Sequence, residues 1–116
     1  MRLLLTLLLT TSSALAEGWV VRPSDTPLDR AAVLTLIEGR TLTFFDDGQS
    51  KFSAGGAYSY TYANGGGTAF GAYEVGDDGT VCIAFRNGFG RCDRYVQSGG
   101  RVVMLTQKGE RFPVRP

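Results

Sequence analysis

The sequence predicts a mainly β fold: an N-terminal helix followed by an antiparallel meander of seven or eight strands, forming a curled sheet or a small barrel. Three observations predict it. Turn signals recur at roughly the 8–12-residue spacing of an all-β domain: Asp46-Asp47-Gly48, Gly55-Gly56, Asn64-Gly65-Gly66-Gly67, Gly76-Asp77-Asp78-Gly79, Asn87-Gly88, Ser98-Gly99-Gly100 and Lys108-Gly109. Between them apolar residues alternate with polar or small ones, as Val81, Ile83 and Phe85 do with Thr80, Cys82 and Ala84. No connection is long enough for a crossover between parallel strands, so neighbours run antiparallel.

Residues 1–16 read as a signal peptide. Arg2 is a basic start, Leu3 to Leu9 is an apolar run broken only by Thr6, and Ala14-Leu15-Ala16 is an A-x-A cleavage site. The run is short of the ~20 residues needed to span a bilayer. Cleavage is expected after Ala16, and Glu17, not a cysteine, follows, so no lipid anchor is expected there. Residues 17–26 form an extended leader carrying the only tryptophan, Trp19, which either docks on the domain or hangs free. Residues 27–116 form a single β domain that opens on the helix. Thr26 is the expected N-cap, Pro27 the first helical residue, and Asp29 sits in the first turn. Leu28, Ala31, Ala32, Val33, Leu34, Leu36 and Ile37 make a wide apolar arc, and Gly39 stops the helix.

Eight short segments follow, the last being Glu110 to Arg115, where Pro113 requires an edge position or a bulge. A three-residue loop Arg86-Asn87-Gly88, with Gly88 at positive φ, sets Cys82 opposite Cys92. A two-residue loop would set Cys82 against Asp93 instead; facing cysteines select the first register. Taking Asp77-Asp78 as a two-residue loop places Tyr73 opposite Cys82. A symmetric loop over Asn64–Gly67 places Tyr58 opposite Tyr73 and Tyr60 opposite Gly71. The expected rows are then Tyr58, Tyr73, Cys82, Cys92 and Tyr60, Gly71, Ala84, Gly90. Phe70, Val81, Ile83, Phe85, Phe89 and Tyr95 fall on the opposite face. Both faces are partly apolar, so both should be covered.

The cysteine pair implies one disulfide made in an oxidising compartment, periplasmic or secreted. Its loop of about 11 residues is worth about 3 kcal/mol. Without a C-x-x-C spacing the pair reads as structural rather than redox-active.

Composition narrows the function classes. Losing Arg2 with the signal peptide reduces twelve basic residues to eleven, against eleven acidic ones. A chain of zero net charge lacks the basic excess of a nucleic-acid binder. No histidine is present, so the commonest general base and metal ligand is missing. Asp46-Asp47-Gly48 and Asp77-Asp78-Gly79 do not fit a calcium loop and read as turns, so no metal or other cofactor is expected. Arg86, Arg91, Arg94 and Arg101 cluster near the disulfide hairpin, with Asp93 and Glu110 as candidate partners.

Tyr58, Tyr60 and Tyr62 alternate onto one face, about 6.8 Å apart, and with Tyr73 and Arg94 they form the one arguable ligand site. The rings either fill a packed core, which a domain of this size favours, or wall a pocket floored by small residues with Arg94 at its rim. Two functions stay open. One is a non-catalytic exported binder of a small ligand; the other is an interaction or inhibitor module acting through loops or a strand edge. An enzyme is the least favoured class.

The segments Leu36-Ile37-Glu38-Gly39-Arg40-Thr41-Leu42, Gly71 to Tyr73, Asp78-Gly79-Thr80-Val81-Cys82 and Arg91-Cys92 resemble small exported proteins of unknown function common in alphaproteobacteria. That resemblance implies a signal peptide, a short helix and a β domain with one disulfide, and it brings no catalytic or binding residues with it. The strand count is also similar to that of lipocalin-like barrels.

Overall fold

A computed structural model describes residues 18–116; the signal-peptide reading of residues 1–16 lies outside them. The chain runs β1 (Thr26–Pro27), α1 (Arg30–Ile37), β2 (Thr41–Thr43), β3 (Gln49–Phe52), β4 (Ala57–Thr61), β5 (Thr68–Val75), β6 (Val81–Phe85), β7 (Gly90–Ser98), β8 (Arg101–Leu105) and β9 (Arg111–Pro113). Strands β2 to β9 pair in sequence order, all antiparallel, and β1 adds to β7. The meander curls into a half-barrel whose two ends touch at a single bridge, Phe44 to Val114. Phe45 N–H donates to Pro113 O (3.3 Å) and Arg115 N–H to Thr43 O (2.8 Å) across this seam. Pro113 sits on the terminal strand, where a missing N–H is tolerated.

The helix starts later than its proline suggests. Asp29 is the N-cap, its Oδ1 accepting from Ala32 N–H at 2.9 Å. Thr26 and Pro27 instead lie extended against Gln97 and Val96, and Leu28 N–H donates to Tyr95 O. The strand wins because Pro27 has no N–H to lose and Asp29 is the better placed cap. Gly39, at φ 71°, completes the turn in which Arg40 N–H bonds Ile37 O. Val33 and Ile37 are fully buried in the curl, each worth about 1.5–3 kcal/mol. Arg30 donates to the carbonyls of Val75 and Gly76, so α1 stoppers the end of the barrel where β5 finishes.

The inner face holds Leu42, Phe44, Phe52, Tyr58, Tyr73, Val81, Ile83, Tyr95, Met104 and Val114. Outside, Val96, Val103 and Leu105 form a second cluster under Trp19, so both faces are covered. The leader is docked: Trp19 Nε1 donates to Cys92 O (3.1 Å), and Arg111 grips Asp25 through two nitrogens (2.8 and 2.9 Å).

Cys82 pairs with Cys92 in a disulfide, their Cα atoms 4.0 Å apart, in the register a three-residue loop dictates. The neighbouring registers differ from expectation. Tyr58 lies opposite Gly71 and Tyr60 opposite Ala69, because Tyr62 N–H bonds Gly67 O and closes a four-residue loop with Asn64 at φ 58°. Tyr73 lies opposite Ile83, and Glu74, not Tyr73, faces Cys82. Here Gly76 N–H bonds Thr80 O around the three residues Asp77-Asp78-Gly79, with Gly79 at φ 88°. The extra loop residue shifts the register by one and exchanges the faces. The tyrosines therefore share the interior with Val81, Ile83 and Phe85, and the disulfide lies outside. Phe70 and Phe89, expected beside Val81, are exposed.

Candidate functional site

The end of the half-barrel away from α1 is an open mouth. Its cleft, about 360 Å³, is lined by Phe44, Tyr60, Tyr62, Arg91, Met104 and Phe112, with Thr106, Gln107, Lys108 and Glu110 on the rim. Two parts of the local sequence build it. The β4 alternation turns Tyr58, Tyr60 and Tyr62 inward one after another up the wall. The β7 alternation does the same for Tyr95, Asp93 and Arg91.

The lowest ring, Tyr58, is core. It packs on Phe52 and Phe85, with ring centroids 5.1 and 5.9 Å away. Gly71 lies between Tyr58 and Phe85 in the cross-strand row. The β6 backbone comes so close that a Cβ there would stand 2.3 Å from Ala84 O. Tyr73 is core too, its ring edge-on to Phe52 and its hydroxyl donating to Ser53 O at 2.8 Å. Tyr60 is half-buried and Tyr62 is 53% exposed; their rings meet edge to face at 4.8 Å. Gly48 makes room for Tyr60, since a Cβ at that position would lie 2.0 Å from its hydroxyl. The tyrosines thus divide, two into core and two into the mouth.

Arg94 is not at the rim. It points outward over the Trp19 ring, 5.7 Å from the centroid, and donates to Asp78 O at 3.4 Å. The one-residue register shift accounts for this: even-numbered residues of β7 face out. Arg91 takes the inward place instead. Its Nε bonds both oxygens of Asp93 (3.0 and 3.2 Å), and Nη2 reaches Tyr58 Oη at 3.5 Å. Its guanidinium also lies over Tyr60 and Phe85, 5.9 and 5.8 Å from their centroids. Ser50 Oγ, 2.8 Å from Tyr58 Oη, ends the chain of polar groups.

Burial dominates the electrostatics. Asp93 has no solvent exposure, and its carboxyl is pushed above the usual range by desolvation, against the pull of Arg91. The Tyr58 hydroxyl is raised by the same cause, as is that of Tyr60. Burial raises Tyr95 furthest; among the described residues Met104 Sδ, at 3.5 Å, is the one acceptor for its proton. Arg91 stays charged, its guanidinium raised by Asp93 despite burial. With Nε committed and Nη2 only weakly used, most of its N–H fork is left for the cleft.

The other arginines of the cluster go elsewhere: Arg86 covers Phe70 on the outer face, and Arg101 lies over Phe45. Glu110 takes a hydrogen bond from Thr106 Oγ1 (3.0 Å) rather than an arginine. Asp46 and Asp78 cap their own turns, accepting from Gly48 and Thr80 N–H at 2.9 Å. Among the described residues no three of Cys, Asp and Glu come together as a metal site, and no helix is long and apolar enough to cross a membrane. No protein-family model, curated protein or solved structure matches this chain.

Proposed function

We propose that this is an exported, non-catalytic binding protein whose half-barrel mouth takes a small, uncharged ligand with a flat face and hydrogen-bonding edges. The observation that carries the reading is the pairing of an open aromatic wall, Tyr60 and Tyr62, with an arginine held in place from behind by a buried carboxylate. The rings offer stacking surface and the guanidinium offers directed donors, the usual division of labour in small-molecule clefts. The cleft's size falls at the lower end of such sites. Arg91 and Lys108 are balanced by Asp93 and Glu110, which favours a neutral ligand over an ion. The leucine-rich start, the A-x-A site and the disulfide support export to a periplasmic or extracellular space.

The test is binding of para-nitrophenyl glucoside, which combines a flat ring with a polar edge, followed by amide-resolved NMR. Shifts should gather at Tyr60, Tyr62, Arg91 and Phe112. Tyr62→Ala should weaken binding about tenfold, the loss of one aromatic contact, with the melting temperature unchanged. Shifts scattered away from the mouth, or a Tyr62→Ala protein that binds as the wild type does, would overturn the reading.

A further inference from the structure

A second cleft, about 560 Å³, opens at the α1 end of the seam between β2 and β9. Its floor is apolar: Leu36 from α1, Leu42 from β2, Val102 from β8 and Val114 just past β9. The backbone adds one donor. Phe52 N–H donates to Arg40 O and Phe44 N–H to Gly48 O, so the even-numbered residues here bond β3. Thr41 and Thr43 turn their groups the other way. Thr43 lies against the end of β9, its O accepting from Arg115 N–H at 2.8 Å. Thr41, which also lines the cleft, has no strand neighbour on that side among the described residues, so its N–H is open to a ligand.

The charge around this cleft is one-sided. Among the described residues its lining includes Arg40, Arg101 and Arg115 and no Asp or Glu. Arg115 is committed to Asp47 (2.5 Å) and to the carbonyls of Phe44 and Phe45. Neither Arg40 nor Arg101 has a carboxylate partner among the described residues. They enter from two sides. Arg40 has the parity of Leu42 and Phe44, which face the interior; Arg101 has that of Val103 and Leu105, which face out. Phe45 positions Arg101 at the rim, its ring 5.1 Å from that guanidinium carbon and 5.5 Å from that of the tethered Arg115. A ring face supplies no strong acceptor, so the N–H fork of Arg101 is left for a ligand.

We propose that this cleft binds a small carboxylate carrying an aliphatic chain, a short- or medium-chain fatty acid. The carboxylate sits between Arg40 and Arg101 with the Thr41 N–H as a third donor, and the chain lies on Leu36, Leu42 and Val102. Two guanidinium groups without a counter-charge call for an anion. The apolar floor beneath them calls for hydrocarbon. A bare anion would leave the floor wet and a neutral chain would leave the arginines unpaired, so a carboxylate with a chain accounts for both features at once. The site shares no lining residue with the mouth and does not depend on the ligand proposed there.

The experiment titrates the full chain with octanoate. Calorimetry gives affinity, and amide NMR gives position. Octanoate should bind and shift the Thr41, Gly100 and Arg101 amides. Arg40→Gln and Arg101→Gln, at exposed positions, should each weaken binding about tenfold, the loss of one charge-assisted contact, with the melting temperature unchanged. Octanol keeps the chain without the charge, and acetate keeps the charge without the chain; each should bind about tenfold more weakly or worse. Octylamine, with the charge reversed, should not bind. The proposal is overturned if octanoate fails to bind, or if octanol, acetate or octylamine binds as well as octanoate. Arginine variants that bind octanoate as the wild type does, or shifts confined to Tyr60, Tyr62 and Phe112, would overturn it too.

Discussion

Asp25–Arg111 and Asp93–Arg91 are the same pair of side chains used in two places, and the carboxylate is shielded from solvent in both. Their titrations are pulled in opposite directions. Asp25 is held well below the usual carboxylate range, first by the fork of Arg111 and then by the Arg22 N–H at 2.8 Å. Among the described residues three nitrogens donate to it. Asp93 has one nitrogen, Arg91 Nε, shared between its two oxygens, and desolvation wins. Depth and donors act together: desolvation leads at Asp93, deep inside the curl, and comes third at Asp25, nearer the surface, behind the bonds from Arg111 and Arg22. The outer pair is saturated, and it clips the leader to β9. The inner pair is under-coordinated on both sides, leaving Arg91 with donors to spend in the mouth.

The largest expected effect comes from unpairing the inner site. Arg91→Met leaves Asp93 buried without its counter-charge and should cost about 3–5 kcal/mol in chemical denaturation. Adding Asp93→Asn should return most of that loss, because the penalty belongs to the stranded charge. Arg111→Met should cost less, since the Arg22 N–H stays with Asp25 and the leader can lift into water. An Arg111→Met protein less stable than Arg91→Met would break the comparison.

A smaller effect separates the outer face from the mouth. Replacing Cys82 and Cys92 by alanine should lower stability by about 3 kcal/mol in the loop-entropy account. Both side chains sit on the outer face, so binding of para-nitrophenyl glucoside should be unchanged. A change in that affinity greater than the spread of the wild-type measurement would show that the two faces are coupled.

How far the sequence could be read depended on loop length. At Arg86-Asn87-Gly88 a three-residue loop was forced by the cysteines, and the register came out right. At Asp77-Asp78-Gly79 the same loop type occurs, again with a glycine at positive φ, but no covalent partner marked it. One residue there moved the disulfide to the other face from the tyrosines and put Arg91 in the site where Arg94 was expected. At Asn64–Gly67 the error was two residues, which shifts partners but keeps faces. That is why Tyr58, Tyr60 and Tyr62 still point inward together. The apolar run Val102-Val103-Met104-Leu105 has no polar interruption, the pattern of a strand covered on both sides, and the sequence reading left that signal unused. The inward turn of Arg91 was legible in principle: in the sequence Arg91, Asp93 and Tyr95 share a parity with the hairpin's apolar Ile83 and Val81, once the cysteines are paired. The seam is legible only in three dimensions, because it joins Phe44 to Val114.

The account turns on the two carboxylates. Stability and titration are linked with opposite signs at the two sites. The lowered Asp25 stabilises the fold above the unfolded value near 3.8, and that contribution fades as pH falls below it. The raised Asp93 favours the fold at low pH, and its contribution is lost as pH climbs from 3.8 through the elevated value. The direct measurement is a carbon-detected NMR titration of the aspartate carboxyls, with Asp25→Asn and Asp93→Asn used to assign the two signals. The account predicts that the carboxyl signal lost in Asp25→Asn titrates below 3.8, as does that of Asp78, held down by Thr80, and that the signal lost in Asp93→Asn titrates above it. An Asp93 carboxyl that titrates below 3.8 alongside Asp25 would mean that Arg91 is fully spent on it, and would contradict the claim that its donors face the mouth.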